Sequence, residues 1–248
     1  MLSYNALKIL ASDSTCALLK PITPELFGNS CTRFIDGFFI TLELLILSSI
    51  IGFFIALMVV LARVSRIPLL SLPAYAFTYV FRGTPFLVQL WILYFGLGSL
   101  GAERLGVLWI LFKDAWWVGL LALTLNTAAY VTEILRGGID NVPRGQVEAA
   151  LSCGMSWRQR MQFIILPQAL RIAWPAYGNE VILLMKASAL VSTITVLDLM
   201  GQTRTIFSRS YSLEIFLYGA VLYLLLTSVL TLILRAIERR ITIPSVGE

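Results

Sequence analysis

Five polar residues interrupt apolar runs of this 248-residue chain: Glu43, Arg82, Asn126, Glu133 and Lys186. An ionisable group at membrane depth is costly and normally faces a partner or a cavity, so each is a candidate contact for a polar solute. Arg82 or Lys186 has the charge to hold a carboxylate, and Glu43, Glu133 or Asn126 has acceptors for an amine. Each also has a plainer reading. Glu43 and Glu133 lie within about two turns of a span end and can reach the interface, as can the long stem of Lys186. Arg82 stands beside a helix breaker, where it could satisfy freed carbonyls instead of a solute.

Other chemistry is excluded by what the chain lacks. It has no histidine, which removes His dyads, His-based proton relays and His-ligated metals. Cys16, Cys31 and Cys153 show no CxxC spacing, so they read as unpaired small residues, with neither a zinc site nor a disulfide framework. No GxxxxGK[ST] run occurs and no glycine is followed by lysine, so no P-loop holds ATP or magnesium on this chain. A membrane-embedded enzyme is disfavoured by the lack of any paired-carboxylate or nucleophile motif.

The elements that must position these residues are set by composition. Hydrophobic residues make up 58% and charged residues 13%. With a mean hydropathy of +0.84, the chain has more apolar surface than a soluble domain of this length can bury. It belongs in a bilayer. The net charge of +5 sits mostly at the ends of apolar segments, as orientation by positive charge demands, rather than in a patch for nucleic acid.

A transmembrane helix needs about 20 mostly apolar residues. Five stretches qualify: Phe38 to Ala62, Leu69 to Leu97, Trp116 to Leu135, Val181 to Met200 and Ile215 to Leu234. The second contains "FRGTPF", where Pro85 and Gly83 predict a kink or a break. Trp116, Trp117 and Tyr218 suit the interfacial aromatic belt. Arginines follow the first span (Arg63, Arg66), fill the loop after the third (Arg136, Arg144, Arg158, Arg160, Arg171) and follow the fifth (Arg235, Arg239, Arg240). The alternate loops are close to neutral apart from Arg204 and Arg209, so the amino terminus is expected outside and the carboxyl terminus inside. No removable signal peptide is expected, and residues 1–33 read as an exposed, loosely ordered extension.

The longest run of mixed polarity, "EAALSCGMSWRQRMQFIILPQAL", then faces the cytoplasm. Pro143 suits a first helical turn, and Gly154 suits the left-handed residue that ends a short helix. Ser156 with Gln159 three positions on predicts a capping box for a second helix, and Pro167 is expected to bend the chain back toward the membrane. By themselves these signals fit equally two amphipathic helices on anionic lipid. The spacing is more specific: Glu148-Ala149-Ala150, three residues, Gly154, nine residues, then Ile164-Ile165-Leu166-Pro167.

That spacing resembles the EAA loop of binding-protein-dependent ABC importer permeases, and every specified position matches. The stretches "FRGTPFLVQLWILYFGLG", "LTLNTAAYVTEILRGGIDNVPRGQVEAA" and "PAYGNEVILLMKASALVSTITVLDL" resemble the polar amino acid permease family. The greatest likeness is to M-type subunits for histidine, lysine, arginine and ornithine or for opines. The resemblance implies an all-α, multi-pass type I ABC importer transmembrane domain in the bacterial inner membrane, here in a five-span version. Residues 1–35 would be a periplasmic segment, 36–240 the membrane domain with its coupling loop at 138–170, and 241–248 a cytoplasmic tail.

Implied partners are a second permease, expected to be a Q-type paralogue, an ATPase dimer that binds ATP and magnesium, and a periplasmic solute-binding protein. In the family the first EAA helix docks in a groove of the ATPase. Glu148, Ala149 and Ala150 would lie at that contact, Gly154 would set the turn, and Leu166 and Pro167 would complete the loop. A rival of another class is an ion-coupled secondary carrier using Glu43, Glu133 and Lys186 as titrating groups. Against it stand the single five-span unit without a visible inverted repeat and the full EAA match. Five helices are also too few to enclose a polar path, which favours a paired permease.

Overall fold

A computed structural model describes Cys16, residues 25–65 and residues 67–241. Among these residues every regular element is a helix. Long helices occupy Glu25–Arg63, Ala115–Asp140, Leu166–Ser188 and Glu214–Ile241, and shorter ones include Pro68–Gly83, Arg144–Ser152 and Leu199–Ser210. Among the described residues three helices are long and apolar enough to cross a membrane, or up to five if each of two pairs bent at a short break counts as one span.

The first, third and fifth expected spans lie inside helices that run beyond them at one or both ends. The helix Glu25–Arg63 passes unbroken through the expected segment boundary at residue 36. The break foreseen at "FRGTPF" is present: helix Pro68–Gly83 ends, and a new helix begins at Phe86. Thr84 is extended at φ −117° and ψ 145°, the conformation that a following proline imposes. Its hydroxyl donates to the Val80 carbonyl at 2.8 Å, back onto the last turn of the helix.

The fourth expected span needs correcting. Its helix starts far upstream, at Leu166, and a 3₁₀ turn carries it to Ile194. Thr195 is left-handed at φ 73°, and Asp198 caps a separate helix that contains Met200. Basic and polar residues diluted the apolar signal upstream, while the capping aspartate was hidden among apolar neighbours. At Pro167 the helical path is not broken. A π-helical turn, Arg160–Ile165, leads directly into helix Leu166–Ser188, and its wider ladder absorbs the donor that proline lacks.

The chain divides into two compact units. The first comprises the described residues up to Leu47 with Leu87–Leu123 and Met185–Ser228. Its core joins Phe34, Leu199, Ile206 and Ile215, and Phe27 stacks on Phe34 at 5.4 Å. The second comprises Ser48–Phe86, Thr124–Leu184 and the residues from Val229 onward. Here Ala56, Val60, Val131, Leu135 and Ala173 pack together. Ala56 and Ala173 let the helices approach closely, the van der Waals contact from which helices in lipid mainly gain. A close backbone approach occurs at Gly138, where a Cβ would stand 2.5 Å from the Ala169 carbonyl oxygen.

Cys16 and Cys31 are disulfide-bonded, with Cα atoms 5.7 Å apart, which overturns the reading of all three cysteines as unpaired. Pairing depends on Cα atoms coming within about 7 Å, which sequence spacing does not reveal. Cys153 is free and exposed. Residues 25–33 are helical, so the expected loose extension does not hold there; residues 1–15 and 17–24 lie outside the described residues, as do 242–248 of the expected tail.

Two neighbouring glycines give opposite predictions. At Gly137 an added Cβ meets nothing within 4 Å. Gly137→Ala is expected to be neutral or to stabilise by about 0.5–1 kcal/mol through helix propensity. Gly138→Ala is expected to destabilise by about 1–3 kcal/mol through overpacking. Unfolding in mixed detergent, followed by circular dichroism, checks both; equal midpoints would refute the close approach.

Candidate functional site

The helix Arg144–Ser152 begins one residue after Pro143, which occupies the capping position rather than the first turn. Its end is a Schellman turn: Met155 N–H donates to Ala150 O at 3.1 Å and Gly154 N–H to Leu151 O at 2.9 Å. Gly154 supplies the left-handed residue at φ 73°. Nothing lies within 4 Å of a Cβ there, so glycine is required by backbone conformation and not by space. The next helix opens with the expected capping box, in which Ser156 N–H donates to Gln159 Oε1 at 2.8 Å and Gln159 N–H returns to Ser156 Oγ at 3.4 Å.

Contacts not foreseen from the sequence tie the module together. Gln168 Nε2 donates both to Gln146 Oε1 and, at 2.9 Å, to Ile164 O. Arg160 Nη1 donates to the Met155 carbonyl at 3.2 Å and so braces the turn. Glu148 and Ala149 are exposed, whereas Ala150 is buried; two residues of the triplet present surface and the third packs inward. Leu151, Trp157 and Phe163 are exposed on the same module. The result is a braced helix, turn and helix whose outer surface carries Glu148, Arg144 and Arg158 beside exposed apolar side chains. Leu166 is half-buried and Pro167 exposed at the start of the long helix that continues from it.

Of the five polar candidates, Arg82 and Glu133 line one cleft of about 470 Å³ in the second unit, with Arg63, Tyr75, Tyr79 and Arg136. Glu133 is already answered. Arg136 Nε lies 2.7 Å from Oε2, Arg63 Nε lies 3.6 Å from Oε1, and Thr78 Oγ1 donates to Oε1 at 3.2 Å. Arg136 also reaches Asp140 at 2.6 Å. The guanidinium of Arg63 lies over Tyr75, 4.6 Å from the ring centre, and that of Arg82 over Tyr130 at 5.5 Å. Three guanidinium groups against one carboxylate give the cleft an excess of positive charge, suited to an anionic group more than to an amine.

Asn126 is buried in the same unit. In the first unit Glu43 is half-buried and Lys186 exposed, and neither has an ion-pair partner among the described residues. Two buried carboxylates went unremarked in the sequence. Glu180 accepts from Thr127 Oγ1 at 3.5 Å. Asp198 accepts from Gly201 N–H at 2.9 Å and from the Tyr223 hydroxyl at 3.3 Å, which makes it a helix cap as much as a charge. Their signal was an acidic residue inside an apolar run, the same signal that marked Glu43.

Known proteins share this architecture. The family described as "Binding-protein-dependent transport system inner membrane component" matches residues 48–243. An octopine transport system permease protein of Rhizobium radiobacter is 39% identical over 219 residues, covering 88% of this chain and 89% of its own length. A histidine/lysine/arginine/ornithine transport system permease protein of Escherichia coli K12 is 46% identical over 209 residues, covering 82% of this chain and 87% of its own. A crystal structure of an amino acid ABC transporter with histidines aligns at TM-score 0.76 and 39% identity, over 84% of this chain and 94% of that one. With its apolar helices, its all-α importer fold and a match spanning most of its length, the chain belongs to the binding-protein-dependent transport system inner membrane components.

Proposed function

We propose that the chain is one permease of a pair in an ATP-driven importer that carries polar, foremost basic, amino acids or opines across the bacterial inner membrane. The observation that carries this reading is the braced, exposed helix-turn-helix at Arg144–Gln159, set in a membrane protein of this family. A module that moves as one piece can pass a partner's motion to the helix it continues into. Glu148 and Ala149 touch the ATPase, Ala150 packs beneath them, Gly154 sets the angle, and Leu166 and Pro167 join the module to its long helix.

The partners are an ATPase dimer that holds ATP and magnesium, a periplasmic solute-binding protein and a second permease, a Q-type paralogue. Loaded binding protein docks outside, ATP draws the ATPases together, and the coupling modules move so that the paired bundles open outward. Hydrolysis resets the inward-facing state. The amino terminus lies outside and the carboxyl terminus inside. Supporting this orientation, the arginine-rich loops share one side by sequence, and the Cys16–Cys31 disulfide near the start of the first long helix suits an oxidising compartment.

On the solute path, Arg82 serves the carboxylate, with Asn126 and Lys186 as further polar contacts. Glu43 serves the amine, because Glu133 is occupied by Arg63 and Arg136. Loss of a charged hydrogen bond at Glu43 is expected to lower basic amino acid uptake about tenfold in Glu43→Gln. Unchanged uptake by an inserted Glu43→Gln protein removes the amine assignment.

Gly154→Asp is expected to insert normally, as seen by immunoblot of membranes, while ATP hydrolysis continues without uptake. Gly154→Asn, which tolerates the left-handed conformation, should retain more uptake than Gly154→Val. Normal transport by Gly154→Asp and Gly154→Val would sink the coupling role. The overall reading is tested by uptake of labelled lysine, arginine, histidine, ornithine, glutamine, glutamate and an opine in cells with and without this gene, each with and without ATP depletion. An ATP-dependent loss of one substrate on deletion is expected. Uptake that survives ATP depletion and follows the proton gradient would overturn it.

A further inference from the structure

An apolar slot of about 230 Å³ in the second unit lies among Phe53, Leu135, Leu170, Ala173, Trp174 and Tyr177. Its wall is aromatic and locked: Phe53 meets Tyr177 at 5.5 Å and Trp174 meets Tyr177 at 5.6 Å between ring centres. Arg171 and Ile241 complete the lining, and Arg171 is its single charged residue. That guanidinium is exposed and has no ion-pair partner among the described residues. Ile241 ends the helix Glu214–Ile241, whose last turn carries Arg239 and Arg240, both exposed and likewise unpaired among the described residues.

We propose that this slot takes one acyl chain of an anionic phospholipid of the surrounding bilayer, with the lipid phosphate held by Arg171 beside the arginines of the last turn. A slot lined this way stays dry, so its occupant is apolar. Within a bilayer an acyl chain gains little by leaving its neighbours, since lipid tails are as apolar as the slot. The slot therefore fixes position, and selection comes from charge. Cationic side chains at the membrane surface favour an anionic headgroup, by about fivefold for each arginine. Trp174 and Tyr177 are half-buried rings of the kind that settle at headgroup level, which puts the phosphate within reach of Arg171. The site needs only the chain's place in the membrane, so it stands or falls separately from the cargo.

The test uses the assembled transporter in vesicles of phosphatidylcholine doped with either phosphatidylglycerol or phosphatidylcholine carrying brominated acyl chains. Trp174 emission is taken as the difference between the wild type and Trp174→Phe. Half-quenching is expected at a fraction of brominated phosphatidylglycerol lower than that of brominated phosphatidylcholine by about fivefold or more, since each arginine that reaches the phosphate adds about that factor. Arg171→Gln should weaken that preference about fivefold and Arg171→Lys should keep it, while the phosphatidylcholine curve, which reports an intact slot, stays the same in both. Equal curves for the two lipids in the wild type would overturn the proposal, leaving an unselective annular lipid. Absence of quenching by either would also overturn it, because protein would then fill the slot: the carboxyl-terminal residues 242–248 or a neighbouring chain.

Discussion

In hydrocarbon a backbone donor or acceptor without a partner has no water to turn to, so a chain that lives there must close every helix break from within. This protein breaks its helices repeatedly, and several breaks carry a closure of their own. Thr84 returns its hydroxyl to Val80 O where Pro85 stops a ladder. Asp198 accepts the orphan Gly201 N–H, and the Thr41 hydroxyl accepts that of Leu199 at 3.0 Å, where a helix restarts in the first unit. The π turn Arg160–Ile165 lets Pro167 sit inside a continuous helical path. The positions of these closures decide where side chains leave the regular ladder, and with it which residues become available for function.

Charge obeys the same economy. Glu133 would be expensive alone, but Arg63, Arg136 and Thr78 surround it, and Arg136 is itself shared with Asp140. Such a group is a structural clasp before it is a ligand. Arg82 shares that cleft, held over the Tyr130 ring. In the helix-turn-helix at Arg144–Gln159 the balance is reversed: Glu148 is left open on the surface, while Arg160 and Gln168 are consumed in bracing the turn.

Much of this was legible from the chain itself. Long apolar runs announced the membrane, and "FRGTPF" announced a break, because proline and glycine act on their own backbone. Gly154, Ser156 and Gln159 were placed by capping rules that span only a few residues, and the structure realises them bond for bond. Their chemistry is local. Pro167 shows the limit of that logic: a local breaker was overruled by a π turn formed by the residues before it.

What the sequence by itself determined is the environment, the helical class and the helix-turn-helix of the EAA module, since hydropathy and capping depend on neighbours along the chain. Only the tertiary structure decided which cysteines pair, that Glu133 is sequestered by Arg63 and Arg136 while Glu43 is not, that Ala150 faces inward, and that Gln146 meets Gln168. Those are contacts between residues far apart in sequence, or choices among rotamers and helix faces. They are settled by distances a few ångströms wide, which no spacing along the chain encodes.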